Sequence, residues 1–169
     1  KNKVVNFSSH IQITSGGTNF SIETSPIRMS RTYMNEVKNL EGVRHVQTFA
    51  TKAGILQSNA DTVVYDTETK INRDIEGIIF KGVNSDFDWG FSEEKLIEGK
   101  SFFVSGDKPN DSIIISNYLK KRLKLALNDR IRGYFFNDKK PIVKSFVIAG
   151  IYETGLEEFD EQFVFSDIQ

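Results

Sequence analysis

Short apolar runs separated by polar turns recur along most of the chain, and this pattern predicts strands more often than helices. The clearest strand covers residues 75–83, a continuous apolar run that includes two glycines where backbones approach closely or bulge. Residues 59–73 are polar and predict a loop or an irregular hairpin. Further strands are predicted at 4–14, with Phe7, Ile11 and Ile13 facing a core, and at 43–57, 112–115, 130–136, 142–152 and 163–165.

Two segments show helical spacing instead. Ser30 is a suitable N-cap for a first helix, and Gly42 is a suitable stop. Ser116 caps a second helix, and residues 92–97 form a short helical piece. The apolar positions of the two main helices are Tyr33, Met34, Val37, Leu40, Leu119 and Leu123.

The order of these elements is strand, helix, strand and then a strand-rich block. It favours an α+β fold with mostly antiparallel strands over an alternating parallel arrangement. The chain of 169 residues is long enough for one domain or two small subdomains. A change in composition near residues 74–76 indicates a subdomain boundary there.

Composition excludes several classes of protein. The net charge of −1 is evenly distributed and gives no basic footprint for nucleic acid. There is no cysteine, which excludes disulfides, thiol catalysis and cysteine-ligated metals. No apolar run approaches the roughly 20 residues that cross a bilayer. Because the chain begins without methionine and stops just after an apolar strand, we expect it to be a segment of a longer protein.

Catalytic chemistry finds little support in the sequence. His10 and His45 are the two histidines, and their flanking residues indicate outward strand positions at the surface. Nucleophile-elbow and phosphate-binding glycine motifs are both absent from the sequence. We therefore assign no catalytic residue and no cofactor-binding residue.

A calcium loop is the strongest metal candidate, because oxygen ligands alternate at Asn84, Asp86 and Asp88. However, the glycine comes one place late, and Lys95 stands where a bidentate glutamate would belong. The pattern favours a tight loop in which Asp86 and Asp88 cap turns. No metal site is predicted, and the aromatic residues of the loop would fill a core: Phe87, Trp89 and Phe91.

Residues 153–161 form an acidic run that is most simply a solvated loop. Leu156 and Phe159 within it either contact a partner or fold inward. Together with Phe87 and Trp89, they are the candidate partner-contact residues of this chain.

Three sequence blocks, met in order, carry a family resemblance. They are residues 77–89 followed by 96–100, residues 112–131, and residues 146–152 ahead of 163–168. Together they resemble the periplasmic core domain of MacB/FtsX-type ABC transporter permeases, closest to the lipoprotein-releasing (LolC/LolE-like) branch. At the family's glycine before a strand, this chain has Asn128, which tolerates the left-handed conformation. Gly150 suits a bulge or a close strand crossing.

The resemblance implies a porter-like α/β subdomain with an inserted β-rich, sabre-like subdomain. Residues 1–74 and 160–169 would form the porter-like part, incomplete at its carboxyl end, and residues 75–159 the sabre-like part. In one lipoprotein-releasing subunit, a long hairpin hooks the periplasmic carrier protein. The equivalent turn here, residues 137–141, is short, so docking of that carrier is not expected.

The resemblance also implies a function without catalysis. The chain would couple ATP hydrolysis, carried out by a separate cytoplasmic subunit or domain, to lipoprotein release or export across the cell envelope. Implied partners are the ATP-binding subunit, a second permease copy, and a lipoprotein or periplasmic protein, with no nucleic acid and no cofactor. The location would be the periplasmic side of the bacterial inner membrane, tethered by helices outside this chain.

Other functions stay open at this point. An efflux or mechanotransmission permease of the same superfamily would share the fold. A free-standing envelope adhesion or binding module would expose the rings of Phe87, Trp89 and Phe91 as a platform. A hydrolase would need a concave pocket with converging carboxylates, from Asp86, Asp88 or the acidic run.

Overall fold

A computed structural model describes residues 9–15, 25–59, 61–65, 68–137 and 140–169. Its elements, in chain order, are α1 (Arg31–Lys38), β1 (Phe49–Gln57), β2 (Asp61–Tyr65), β3 (Glu68–Asn72), β4 (Ile75–Val83), α2 (Gly90–Lys95), β5 (Leu96–Gly99), β6 (Ser112–Ser116), α3 (Asn117–Arg122), β7 (Arg130–Asn137), β8 (Lys140–Tyr152), α4 (Glu157–Gln162) and β9 (Phe163–Asp167).

Six strands pair around a closed ring, in the order β8, β6, β9, β4, β1 and β7, with β7 pairing back to β8. β8 is long enough to pair with two strands in succession: residues 140–147 pair with β7, and residues 150–152 pair with β5. β4–β9 and β6–β8 are parallel, and the other described pairings are antiparallel. The predicted α+β fold with mostly antiparallel strands is therefore confirmed.

The main core lies on one face of this sheet, because every second residue of a strand points to the same side. The Phe80 ring centroid lies 4.6 Å from that of Phe135 and 5.3 Å from that of Phe146. α3 covers the cluster with Leu119 and Leu123, both essentially buried. The remaining strand residues of this core are Leu56, Ile78, Ile113, Ile115, Ile131, Ile148, Ile151 and Val164.

A second apolar cluster lies on the opposite face. Ile114 and Phe165 belong to it, whereas their neighbours Ile113 and Val164 belong to the first cluster. The loops after β4 and β5 cover this face with Phe87, Phe102 and Val104. Burial of each such side chain contributes about 1.5–3 kcal/mol, so these side chains anchor their loops to the sheet.

α1 forms where the sequence predicts it, with Ser30 Oγ accepting a hydrogen bond from the Tyr33 amide at 3.1 Å. The helix ends at Lys38, earlier than predicted, and Gly42 adopts a φ of +85° in the following turn. Its apolar stripe is not part of a core: Tyr33 is 44% exposed and Leu40 59% exposed.

The strand predicted at 43–57 is wrong in its first part, since β1 begins at Phe49. Residues 45–48 instead make hydrogen bonds to the loop after β4. Residues 9–15 form no strand, and Ile11 is 80% and Ile13 49% exposed, so the predicted inward alternation is wrong there. The rest of that predicted strand, Phe7 included, lies outside the described residues.

Other predictions fared better. The hairpin at 59–73 is confirmed as β2 and β3, and the strands at 75–83, 112–115, 130–136, 142–152 and 163–165 are all found. The short helix predicted at 92–97 is displaced to Gly90–Lys95, with β5 following at once. The acidic run, predicted as a loop, contains α4, because its buried Asp160 fixes the preceding turn.

The predicted subdomain boundary at residue 74 falls between β1 and β4, which pair along their full lengths in the same sheet. The division into two subdomains stays a prediction. Of the helices described, none has the length and apolar character that crossing a bilayer requires.

Candidate functional site

The strands β1 and β9 flank β4 at one end of the ring. The register pairs Phe49, the first residue of β1, with Val83, and it pairs Val83 with Asp167, the last residue of β9. Two strand spacings of about 4.8 Å separate β1 from β9, so Phe49 and Asp167 lie roughly 10 Å apart. β1 therefore begins and β9 ends side by side in this sheet. We call this end of the sheet, marked by Phe49, Val83 and Asp167, the junction.

Hydrogen bonds and a close backbone approach fix the exit strand at the junction. The Ile168 amide donates to the Val83 carbonyl at 3.0 Å. A Cβ at Gly82 would lie 2.9 Å from Ile168 Cα, so only glycine fits there without displacement. The buried Asp167 carboxylate accepts from the amides of Asn110 and Gln169, each at 2.9 Å.

The loop after β4 fastens the entry strand to the same place. Asp86 accepts from the Thr48 amide with both oxygens at 3.2 Å and from the Thr48 hydroxyl at 2.8 Å. His45 Nε2 lies 2.7 Å from the Asp86 carbonyl, to which it donates. The Asp88 amide donates to Gln47 Oε1 at 2.9 Å. These bonds span about 40 residues of sequence, which tertiary structure alone brings together.

Hydrogen bonds engage both aspartates of the calcium hypothesis. Asp86 is engaged by Thr48, and Asp88 Oδ1 accepts from the Gly90 amide at 2.9 Å, as expected for a turn cap. Within the described part of the chain, no three histidine or acidic side chains form a group that could hold a metal ion. The predicted turn cap is confirmed at Asp88, whereas the Asp86 carboxylate accepts from Thr48, 38 residues away in sequence, and holds the loop by a tertiary contact.

Two aromatic residues of this loop, Phe87 and Trp89, point largely inward, and the side chain of Phe91 lies outside the described part of the chain. Phe87 is 7% exposed and lies edge-on to Trp89, with centroids 4.9 Å apart. Trp89 is half-buried against Phe102 at 5.0 Å, and Phe87 also lies 5.9 Å from Phe165. Phe87 therefore offers little area to a partner, so the fold does not expose its aromatic ring as part of a binding platform.

At the far end of β8, the acidic run is organised around Asp160. This carboxylate is 8% exposed and accepts from the Thr154 amide at 3.0 Å, the Thr154 hydroxyl at 2.7 Å and the Gly155 amide at 3.0 Å. The Ser116 hydroxyl donates to the Asp160 carbonyl and also accepts from the Leu119 amide at 3.1 Å. α3 and α4 are thus joined through one serine.

Leu156 and Phe159 are both half-buried in this region. The Phe159 ring packs 5.5 Å from that of Phe163, and the Tyr152 hydroxyl lies 3.2 Å from the Phe159 carbonyl. An open depression of about 370 Å³ lies nearby; its lining residues are Tyr118, Lys121, Glu153, Gly155, Glu157, Asp160 and Glu161. The partly exposed faces of Leu156 and Phe159 leave their contact with a partner as a prediction.

In both depressions described here, hydrogen bonds engage a carboxylate that the hydrolase hypothesis would use. The second depression, about 260 Å³, is lined by Lys38, Val43, Arg44, His45, Val46 and Asp86, and its one carboxylate is bound to Thr48. In the acidic depression the buried carboxylate, Asp160, is turned toward backbone amides. His10 is exposed, as predicted for a surface histidine.

Lys81 and Tyr152 are among the buried polar groups that sequence reasoning missed. Lys81 is 5% exposed, and burial lowers its pKa to about 8; its Nζ lies 5.6 Å from the Phe49 ring centroid and 5.9 Å from that of Phe165. The Tyr152 hydroxyl lies 2.8 Å from the Phe163 carbonyl, and burial raises its pKa well above the usual value. In the sequence, Lys81 stands out as a single lysine inside an apolar strand, and this signal could have indicated a buried lysine.

Two local predictions tied to the resemblance are confirmed. Asn128 adopts a φ of +69°, the left-handed conformation expected at the family's glycine position. The β6–β8 register shifts between Ile113 and Ile114, which face Ile148 and Gly150, so a bulge does occur at Gly150.

No protein-family model matches the sequence, and no curated protein does either. Eleven chains of solved structures match, among them the extracellular domain of the noncanonic ABC-type transporter YknZ from Gram-positive bacteria. That similarity has 16% identity and a TM-score of 0.48, and it covers 83% of this chain. The match spans 63% of the YknZ chain, less than two thirds of its length.

Proposed function

We propose that this chain is an extracytoplasmic domain of an ABC transporter permease of the MacB/FtsX type, acting as a passive lever. The geometry of the junction carries the proposal. Phe49 and Asp167 flank Val83, so β1 begins and β9 ends side by side at one end of the sheet, and we infer that the transporter holds the domain at this end. A domain attached in this way can rotate as a rigid body with the rest of the transporter, without internal rearrangement.

The ordered sequence blocks of the resemblance supply the second line of support. They fall on the ring strands β4, β6, β8 and β9, the start of β7, the loop that fastens the junction, and β5 and α3. Strands in a closed ring have neighbours on both sides, and we infer from this that the ring is stiff. A domain that transmits a motion driven by ATP hydrolysis elsewhere in the transporter must be stiff.

The finer parts of the proposal concern cargo and partners. We infer lipoprotein release or export as the transported function, with an ATP-binding subunit and a second permease copy as partners. Leu156 and Phe159, half-buried beside exposed carboxylates, are the proposed contact with a lipoprotein or periplasmic protein. The corresponding location is the outer face of the bacterial inner membrane.

Efflux and mechanotransmission permeases would use the same geometry, so cargo must be tested directly. An adhesion module is less well supported, because Phe87, the centre of its proposed platform, is 7% exposed.

The gene that encodes this chain provides the first test. We expect one hydrophobic segment before the domain and three after it, and we expect the tagged full-length protein to co-purify with an ATP-binding subunit. Depletion of the protein should then retain lipoproteins in the inner membrane. A coding sequence without hydrophobic segments would contradict the permease proposal, whereas normal lipoprotein sorting would contradict only the cargo.

A further inference from the structure

Residues 43–48, which we call the strap, join α1 to β1 and lie against the loop of residues 84–88. Between the strap and this loop, every hydrogen bond in the described part of the chain uses at least one side chain, and we call these bonds the latch. The side chains of the latch are those of His45, Gln47, Thr48 and Asp86. Arg44 adds an ion pair with Asp88 at 3.7 Å, although its side chain is 88% exposed. The strap is therefore held by groups that can rotate away.

The other side of the junction is held through the backbone. β9 pairs with β4 over Phe163–Asp167, and the Ile168 amide continues this pairing with its bond to the Val83 carbonyl. The side chain of Asp167 is buried, whereas Thr48 is exposed to water. Water can replace exposed side-chain hydrogen bonds at little cost, so we expect the strap to open more readily than the exit strand.

Apolar packing adds little to the latch. Val43 and Val46 of the strap are only half-buried, and α1 contains no buried residue. The depression of about 260 Å³ lies between Lys38 at the end of α1, the strap and Asp86, so these parts are not closely packed. Little apolar surface would therefore keep α1 and the strap in place once the latch opens.

The loop, by contrast, is fixed without the strap. Phe87 is buried and packs against Trp89. The Phe87 amide donates to the Asn84 carbonyl at 3.1 Å, and Asp88 Oδ1 caps the Gly90 amide. None of these contacts involves the strap. When the latch opens, the loop should stay on the sheet and the strap should leave it.

We propose that the latch is a releasable contact, through which α1 and the strap dock on the loop and detach from it together while the ring stays folded. The released strap remains connected to the ring through β1. This inference goes beyond the proposed function, because both states can be measured on the chain by itself. In a permease of the proposed kind, the latch would act as a hinge that lets the ring rotate relative to α1. That role alone rests on the proposed function.

Native-state hydrogen exchange of the 169-residue chain tests the opening first. The Thr48 and Asp88 amides donate to the latch, and the Ile168 amide donates to the exit strand's neighbour. We expect protection factors at Thr48 and Asp88 about tenfold or more below that at Ile168, with little dependence on low urea concentrations, as for a local opening. Equal protection and equal urea dependence at the three amides would overturn the proposal, because the latch would then open only on global unfolding.

Spin labels then show what moves. Glu36→Cys on α1 and Glu158→Cys on α4 place two labels at exposed positions of a chain that has no other cysteine. Asp86→Ala removes the acceptor of the Thr48 bonds and should widen and shift the distance distribution between the labels. Ser85→Ala is the matched control, because this neighbouring exposed residue takes no part in the latch, and it should leave the distribution unchanged.

Identical distributions in Asp86→Ala and Ser85→Ala would overturn the proposal. Gln47→Ala removes an acceptor from the strap and leaves the loop intact, so it gives the same test if Asp86→Ala does not fold. Trp89, the single tryptophan of the chain, reports on the loop, and its fluorescence should be the same with the latch open. A red shift in Asp86→Ala would overturn the assignment of the strap as the moving part. None of these outcomes affects the permease proposal, which is tested on the gene and on the ATP-binding subunit.

Discussion

Asp160 illustrates how a carboxylate in an acidic run can be structural. Its neighbours Glu157 and Glu158 are exposed, whereas Asp160 is buried and accepts three hydrogen bonds from Thr154 and Gly155. Removing one partner from buried hydrogen bonds leaves the donors unsatisfied, which costs more than the bonds themselves contribute.

We therefore predict that Asp160→Ala lowers the free energy of unfolding by roughly 2–4 kcal/mol. Glu158→Ala, at an exposed position of the same helix, should change it by less than about 0.5 kcal/mol. Urea denaturation of both variants would measure the difference. Equal stabilities would show that the Asp160 hydrogen bonds do not hold α4.

Burial of Lys81 makes the free energy of unfolding depend on pH. In the folded chain its pKa is about 8 because of burial, compared with 10.5 for an ordinary lysine. Between these values the unfolded chain binds more protons than the folded one, so the free energy of unfolding rises with pH. Tyr152 has a raised pKa and opposes this gain at still higher pH.

Between pH 7 and pH 9 we expect the chain to gain on the order of 1 kcal/mol of stability from Lys81. Lys81→Met should lack this gain and should be at least as stable as the original chain at pH 7, because no buried charge remains. Denaturant midpoints at the two pH values would test this. The same pH slope in both proteins would contradict the role of Lys81.

At the scale of elements, β5 depends on a single glycine. Gly99 has a φ of +74°, and a Cβ there would lie 2.3 Å from the Ala149 carbonyl oxygen and 2.9 Å from Gly150 Cα. Both atoms belong to the backbone of β8 and cannot rotate away. β5 can pair with β8 only if residue 99 has no side chain.

Gly99→Ala should therefore cost at least about 2 kcal/mol and loosen β5 in particular. Amide hydrogen exchange should show faster exchange at residues 96–99 than in the original chain. Gly77→Ala is the control, since nothing lies within 4 Å of a Cβ there, and it should be neutral or slightly stabilising. Similar losses in both variants would contradict this account of β5.

Elements determined by local sequence were predictable, and those determined by distant partners were not. Ser30 and Ser116 cap their helices, and Asn128 adopts the left-handed conformation, because the required chemistry lies within a few residues. By contrast, residues 43–48 have an apolar pattern suited to a strand, yet their hydrogen bonds go to the loop around Asp86. Nothing near them in the sequence indicates that partner.

For the whole molecule, the sequence predicted the fold class but not the closed ring. Closure depends on β7 pairing with both β1 and β8, and β9 lying between β4 and β6. Apart from the β7–β8 hairpin, these pairings join segments about 50 to 85 residues apart, and strand periodicity contains no information about which strands meet. The same limit applies to the junction, which exists only once β1 and β9 both flank β4.

A passive lever should move as one body. Spin labels can test this because the chain has no cysteine of its own, so a cysteine at Glu158 would be the single label site of the domain. Distances between two copies of the domain would be measured in the full-length transporter, with and without ATP. A pair within one domain, at Lys100 and Glu158, serves as the internal reference; both positions are exposed.

Double electron–electron resonance on these labels tests the central claim most directly. We predict that ATP changes the distance between domains while the distance between positions 100 and 158 within a domain stays the same. An internal distance that changes with ATP, or an interdomain distance that does not, would contradict the account of this chain as a rigid lever.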